Sequence, residues 1–189
     1  MTSGTRSAAD LIPGFAAETE LERAVAADAR LLEGLEWGRP RKGHPEGPVG
    51  RHVADLIATI DRWGETGPRR ADLRFIALVH DGFKHAVSWF RPKTGENHHA
   101  MRARRFAEDY TGEERLLATI ELHDRPYSLW KRLRRGGRPV DGDLDAMFAR
   151  IPDTAVFMRF VELDGSTSGK RPEPIDWLAD ELRRRLDPG

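Results

Sequence analysis

The chain contains no cysteine. Disulfide frameworks, thiolate zinc sites, iron–sulfur clusters and cysteine nucleophiles are excluded together. Net charge is also absent: 31 basic residues balance 31 acidic ones, with a pI near 7.1. A protein dedicated to coating nucleic acid would carry a large positive surplus, so none is expected as a partner. No apolar run approaches the roughly 18 residues that a membrane span needs. The start, MTSGTRSAADLIPGFAAETE, has one arginine and no apolar stretch of the secretory kind. A cytoplasmic protein without membrane association is the expectation. No alternating strand pattern exceeds four residues, and no internal repeat or interdomain linker is visible. Lysine is scarce, at positions 42, 84, 93, 131 and 170, and arginine supplies the other basic residues.

What remains is one helical domain. The 189 residues (21.4 kDa) are 39% apolar and 33% charged, with mean hydropathy −0.61. That suffices for one core under a heavily charged surface. Residues 1–15 are small, polar and punctuated by Gly and Pro, and read as a flexible tail ahead of a single domain over 16–189. Apolar spacing predicts helices over 19–37, 49–63, 70–87, from 98 to about 110, 113–123, 127–133, 143–150, 153–163 and 175–186. Turn-rich segments fill 38–50, 89–97 and 136–142.

Seven histidines fall at 44, 52, 80, 85, 98, 99 and 123, and two of them precede an aspartate, His80-Asp81 and His123-Asp124. His80 ends the apolar run FIALV, where an unpartnered polar pair is costly and a metal cation suits both members. A single histidine on an apolar helix is commonly a hydrogen-bonded core residue; the argument rests on the set. His52, His80-Asp81, His99, His123 and Asp164 each lie on a different predicted helix near an apolar face.

In order and in local context these segments resemble the HD-domain superfamily of metal-dependent phosphohydrolases. GRHVADLIATID, FIALVHDGFK, HHAMRARRFAEDY, ATIELHDRPY and FMRFVELDGS follow its H…HD…H…H…D pattern, over about residues 44–165. The resemblance implies an all-α bundle with a metal site in its core. His52, His80, Asp81 and Asp164 would hold one ion; Asp81 would bridge to a second, completed by His99 and His123. A one-ion site using only His52, His80, Asp81 and Asp164 stays open. The donor set suits manganese, iron, cobalt, nickel or zinc and does not choose among them. His99 is preferred to His98 because steps of four, seven, eight and eleven from it give Ala103, Phe106, Ala107 and Tyr110, whereas His98 leads to Arg102 and Arg105. His98 is expected to be an exposed neighbour. Asp124, Asp141, Asp143, Asp145 and Asp153 lie in polar or turn contexts and rank behind Asp164.

The implied activity is hydrolysis of a phosphomonoester or phosphodiester, such as a nucleotide or similar small anion, by metal-activated water. Asp81 would be catalytic through the metal, and Lys84, one turn on, would reach the substrate phosphate. His44 and Glu46, in HPEGPVGRHV, are expected at the pocket mouth or behind a ligand. Tyr127 could stack on a base or simply pack, and Arg132, within a basic run, reads either as a rim for anions or as a solvated helix end. Two other readings stay open: a di-iron oxygenase of the same superfamily cleaving a carbon bond, and a non-catalytic metal- or nucleotide-binding module. Oligomeric state leaves no trace in the sequence.

Overall fold

Capping residues divide the chain more finely than apolar spacing does. A computed structural model describes residues 6–41, 45–136 and 140–186. Its helices are α1 (Ala8–Leu11), α2 (Glu20–Ala26), α3 (Ala29–Glu36), α4 (Val49–Arg62), α5 (Gly67–Val79), α6 (His99–Ala107), α7 (Glu114–Leu122), α8 (Arg125–Arg134), α9 (Asp141–Phe148), α10 (Thr154–Gly165) and α11 (Glu173–Leu186), with 3-10 turns at Lys84–Ala86 and Gly95–Asn97. No strand occurs among the described residues, and the fold class is all-α as expected. No helix among the described residues is long and apolar enough to cross a membrane.

Three sequence expectations change. The segment 19–37 is two helices, because the Asp28 side chain accepts from Arg30 N–H at 2.7 Å and starts α3 afresh. The segment 70–87 stops at Val79, and His80 caps it. Within the segment read as a flexible tail, α1 packs into the bundle, with Ala8 and Ile12 buried in the core. Four residues of helix carry too little periodicity to be read as amphipathic.

Two close approaches set the packing around the future site. A Cβ on Gly34 in α3 would lie 1.5 Å from the Gly82 carbonyl oxygen, so α3 rests directly on the turn that follows His80-Asp81. A Cβ on Gly50 would lie 2.3 Å from the Leu11 carbonyl oxygen, which brings α1 onto the start of α4. Apolar side chains form two clusters. Leu35, Leu56, Leu73, Ile76 and Phe106 belong to the larger. Leu122, Leu129, Leu144, Met147 and Leu178 belong to the smaller. Helix α10 serves both, giving Phe160 and Leu163 to the first and Phe157 and Val161 to the second. Its C-terminal end is thereby held between them.

Candidate metal centre

The six expected ligands all sit at helix ends. His52 lies in the first turn of α4 and His99 opens α6; His80 and His123 cap α5 and α7, Asp81 follows His80, and Asp164 lies in the last turn of α10. Three helix C-termini and two helix N-termini therefore meet here, and their end charges oppose one another. The imidazoles form an arc. Ring centroids are 5.5 Å apart for His52–His80, 4.9 Å for His80–His123, 5.4 Å for His123–His99 and 4.6 Å for His99–His98. Phe160 closes the arc from below, edge-on to His80 at 5.2 Å.

Asp81 is the centre of this arc. Its Oδ1 lies 3.3 Å from His99 Nε2 and 3.7 Å from His123 Nε2, while its Oδ2 lies 3.5 Å from His80 Nε2. Asp164 Oδ1 lies 3.0 Å from His52 Nε2 and 3.7 Å from His80 Nε2. Two donor groups share Asp81: His52, His80 and Asp81 on one side, and Asp81, His99 and His123 on the other.

Two local hydrogen bonds decide what these nitrogens can do. His80 Nδ1 is 3.0 Å from the Ala77 carbonyl, and His123 Nδ1 is 2.8 Å from the Ile120 carbonyl. A carbonyl can only accept, so each Nδ1 carries the proton. In a neutral ring the Nε2 then offers a bare lone pair. At His80 that lone pair faces two carboxylates, acceptor against acceptor. Among the described residues, buried His80 Nε2, His99 Nε2 and Asp81 Oδ1 find no hydrogen-bond partner. A backbone bond on one ring nitrogen and an open second nitrogen is the arrangement of a metal-bound histidine. The donor set thus fits one or two divalent cations, with identity left open.

At His80 and at the two carboxylates the charge states agree with this arrangement. Burial pushes His80 down to about 4, against the pull of Asp81, so it is neutral at neutral pH. Burial opposes the Asp81 charge, but Lys84 and then His80 hold the carboxyl well below its usual range. Burial likewise opposes the Asp164 charge, and Lys170 foremost holds it low. His123 differs: burial pushes it down, but Asp81 outweighs this and raises it, toward the protonated ring that His80 avoids.

Lys84 makes an ion pair with Asp81, and Glu46 Oε1 lies 3.5 Å from His52 Nδ1, behind the ring. His44 lies outside the described residues. Tyr127 and Arg132 are not drawn in. Half-exposed Tyr127 stacks with Trp130 on α8, and Arg132 pairs with Asp143 of α9; neither lines the cleft beside the histidines.

His98 corrects the expectation of an exposed neighbour. It is the N-cap of α6, half-buried, with Nδ1 accepting from Ala100 N–H at 3.3 Å and Nε2 3.4 Å from Asp124 Oδ2. With Nδ1 accepting, Nε2 carries the proton of the neutral ring and can donate to Asp124, unlike the bare nitrogen of His80. Asp124 also lies 3.8 Å from His99 Nε2, which groups His98, His99 and Asp124 at the rim.

Sequence reasoning passed over Lys170. Its Nζ is 2.5 Å from Asp164 Oδ1, across the loop that joins α10 to α11. The signal was slight: one of five lysines, six residues past a ligand aspartate. A cleft of about 850 Å³ opens beside the centre, with His98, His99 and Lys84 among its lining residues. Compared with protein-family models, with curated proteins and with solved structures, the chain matches none.

Proposed function

We propose that the chain is a metal-dependent phosphohydrolase of the HD-domain kind, acting on a small phosphomonoester or phosphodiester such as a nucleotide. The carrying observation is Asp81, whose two oxygens face separate sets of imidazole nitrogens at 3.3–3.7 Å. His52, His80, Asp81 and Asp164 would hold one divalent ion, and Asp81, His99 and His123 a second. Bound there, such an ion supplies hydroxide near neutral pH and neutralises charge on phosphoryl oxygens.

The chain's own residues do the rest. Ala77 and Ile120 carbonyls fix the His80 and His123 rings, and Glu46 backs His52. Lys84, on the cleft side of Asp81, can turn its ammonium to a substrate phosphate as a compact point charge. Lys170 pairs with Asp164 but is not among the residues that line the cleft, so its part is to hold that carboxylate. Arg39, Arg41 and Lys93 add positive charge to the cleft walls, which suits an anion.

A panel of phosphomonoesters and phosphodiesters, assayed with manganese, cobalt, nickel and zinc, tests the reading. Turnover with at least one metal is expected, abolished by a chelator and restored by the ion. A silent panel, with oxygen uptake by the iron-loaded protein, would overturn it in favour of the oxygenase.

A further inference from the structure

Segment 88–97 presents two aromatic side chains to solvent: Trp89 is 77% exposed and Phe90 fully exposed. The segment is nevertheless built to hold one shape. Buried Asn97 accepts from Ser88 N–H at 2.9 Å, and its amide donates to the carbonyls of Ser88, Arg91 and Pro92 at 3.0, 3.2 and 3.0 Å. Gly95 takes φ +52°, a left-handed turn that suits glycine, and returns the chain to His98. One side chain thus ties both ends of the loop together, immediately before the site histidines.

Trp89 lines the cleft and Phe90 does not. Lys93 Nζ sits 3.8 Å from the Trp89 ring centroid, and most of the residue stays open to solvent. From a separate segment, between α3 and α4, Trp37 lines the same cleft with the Arg41 guanidinium 5.6 Å from its ring. Each tryptophan therefore carries a cation, as a ligand that is both planar and anionic requires. The fold itself gains nothing from leaving the Trp89 indole in water.

We propose that Trp89, with Trp37, determines specificity by stacking on an aromatic ring of the substrate, and that Asn97 is the positioning residue that holds Trp89 in place. The site would then discriminate phosphates that carry an aromatic ring from plain sugar phosphates. The anionic end of this ligand rests on the phosphoester reading above; the stacking end does not.

The test is equilibrium binding by calorimetry to manganese-loaded and to chelator-treated protein. Two probes are used: the methylenephosphonate analogues of adenosine monophosphate and of ribose 5-phosphate, whose C–P bond prevents turnover. Base-on-aromatic stacking gives about five- to hundredfold per base, so the adenosine probe is expected to bind at least about fivefold tighter than the ribose probe. Trp89→Ala should bring the two within about twofold, Trp89→Phe should keep most of the preference, and Phe90→Ala should leave it unchanged. Asn97→Asp, which puts a carboxylate against three carbonyls, should lower the preference and raise amide exchange across 88–97 while metal content holds. Equal binding by the natural protein, a preference that survives Trp89→Ala, or no binding of either probe would overturn the proposal. Preference without any hydrolysis of phosphoesters would sustain the stacking role and defeat the phosphohydrolase reading alone.

Discussion

Glu22 and Asp81 are two carboxylates sunk in the same bundle, at 0% and 4% exposure, with opposite surroundings. Glu22 meets Arg74 Nε and Nη2 at 2.9 Å each, and Arg74 donates its remaining reach to the Ala16 carbonyl at 2.8 Å. Glu22 also accepts from the Glu18 N–H at 2.8 Å, so both of its oxygens meet donors. Asp81 has one donor, Lys84, and otherwise faces imidazole nitrogens, of which His80 Nε2 is a bare acceptor in the neutral ring. A buried charge with matched donors is architecture, satisfied within the chain. A buried charge among acceptors is unfinished, and a cation from outside completes it.

The comparison breaks most sharply at Arg74. Arg74→Met leaves Glu22 charged, buried and unpaired, and should cost about 3–5 kcal/mol in a urea or thermal melt. Added metal should not restore it beyond its effect on the unaltered protein. A loss under about 1 kcal/mol would show that this pair is not the structural counterpart described.

Asp81→Ala tests the other half. Saturating metal at about a hundredfold excess over its Kd should stabilise the natural protein by about 2.7 kcal/mol, and that gain should vanish in the variant along with copurified metal. The metal-free variant should stay within about 1 kcal/mol of the natural protein, because an acceptor leaves a crowd of acceptors and Lys84 can turn to water. Retained metal content would refute the assignment of Asp81.

Lys170→Met sharpens the comparison on the Asp164 side. Lys170 lies outside the cleft lining and acts through Asp164, so kcat/KM on an active phosphoester should fall by less than about tenfold. Metal affinity should not weaken, since an ammonium leaves the carboxylate oxygen it occupies. Weaker metal binding with unchanged turnover would assign Lys170 to the fold alone.

His98 and His99 give the smallest contrast. His99→Ala should lower metal stoichiometry by mass spectrometry. His98→Ala should keep it and cost about 0.5–1 kcal/mol as a lost helix cap. The reverse order would move the ligand role to His98.

Much of the site was legible because its residues lie on helices whose apolar faces point one way. The spacing from His99 to Ala103, Phe106, Ala107 and Tyr110 selected the inward histidine, and His99 does face Asp81. The same reasoning misplaced His98. Helical periodicity assumes helical backbone, whereas His98 is the extended N-cap, φ −95° and ψ 135°, which turns its ring back toward Asp124. Lys170, Asn97 and Trp89 had no periodic context to be read from, since each acts from a loop. Tyr127 and Arg132 had the right chemistry in the right neighbourhood of the sequence, but they lie outside the cleft lining, and Arg132 is paired with Asp143.

The sequence by itself determined the helical class, the absence of thiol chemistry and the order of ligand-type residues, because side-chain chemistry and the 3.6-residue period are local properties. Tertiary structure alone decided that two oxygens of one aspartate face two groups of imidazoles, that Lys170 reaches Asp164, and that Asn97 holds Trp89 beside the histidines. Contacts within the site join residues up to 112 positions apart, as in His52 and Asp164. Only the packing of α4, α5, α6, α7 and α10 against one another sets the distances between them.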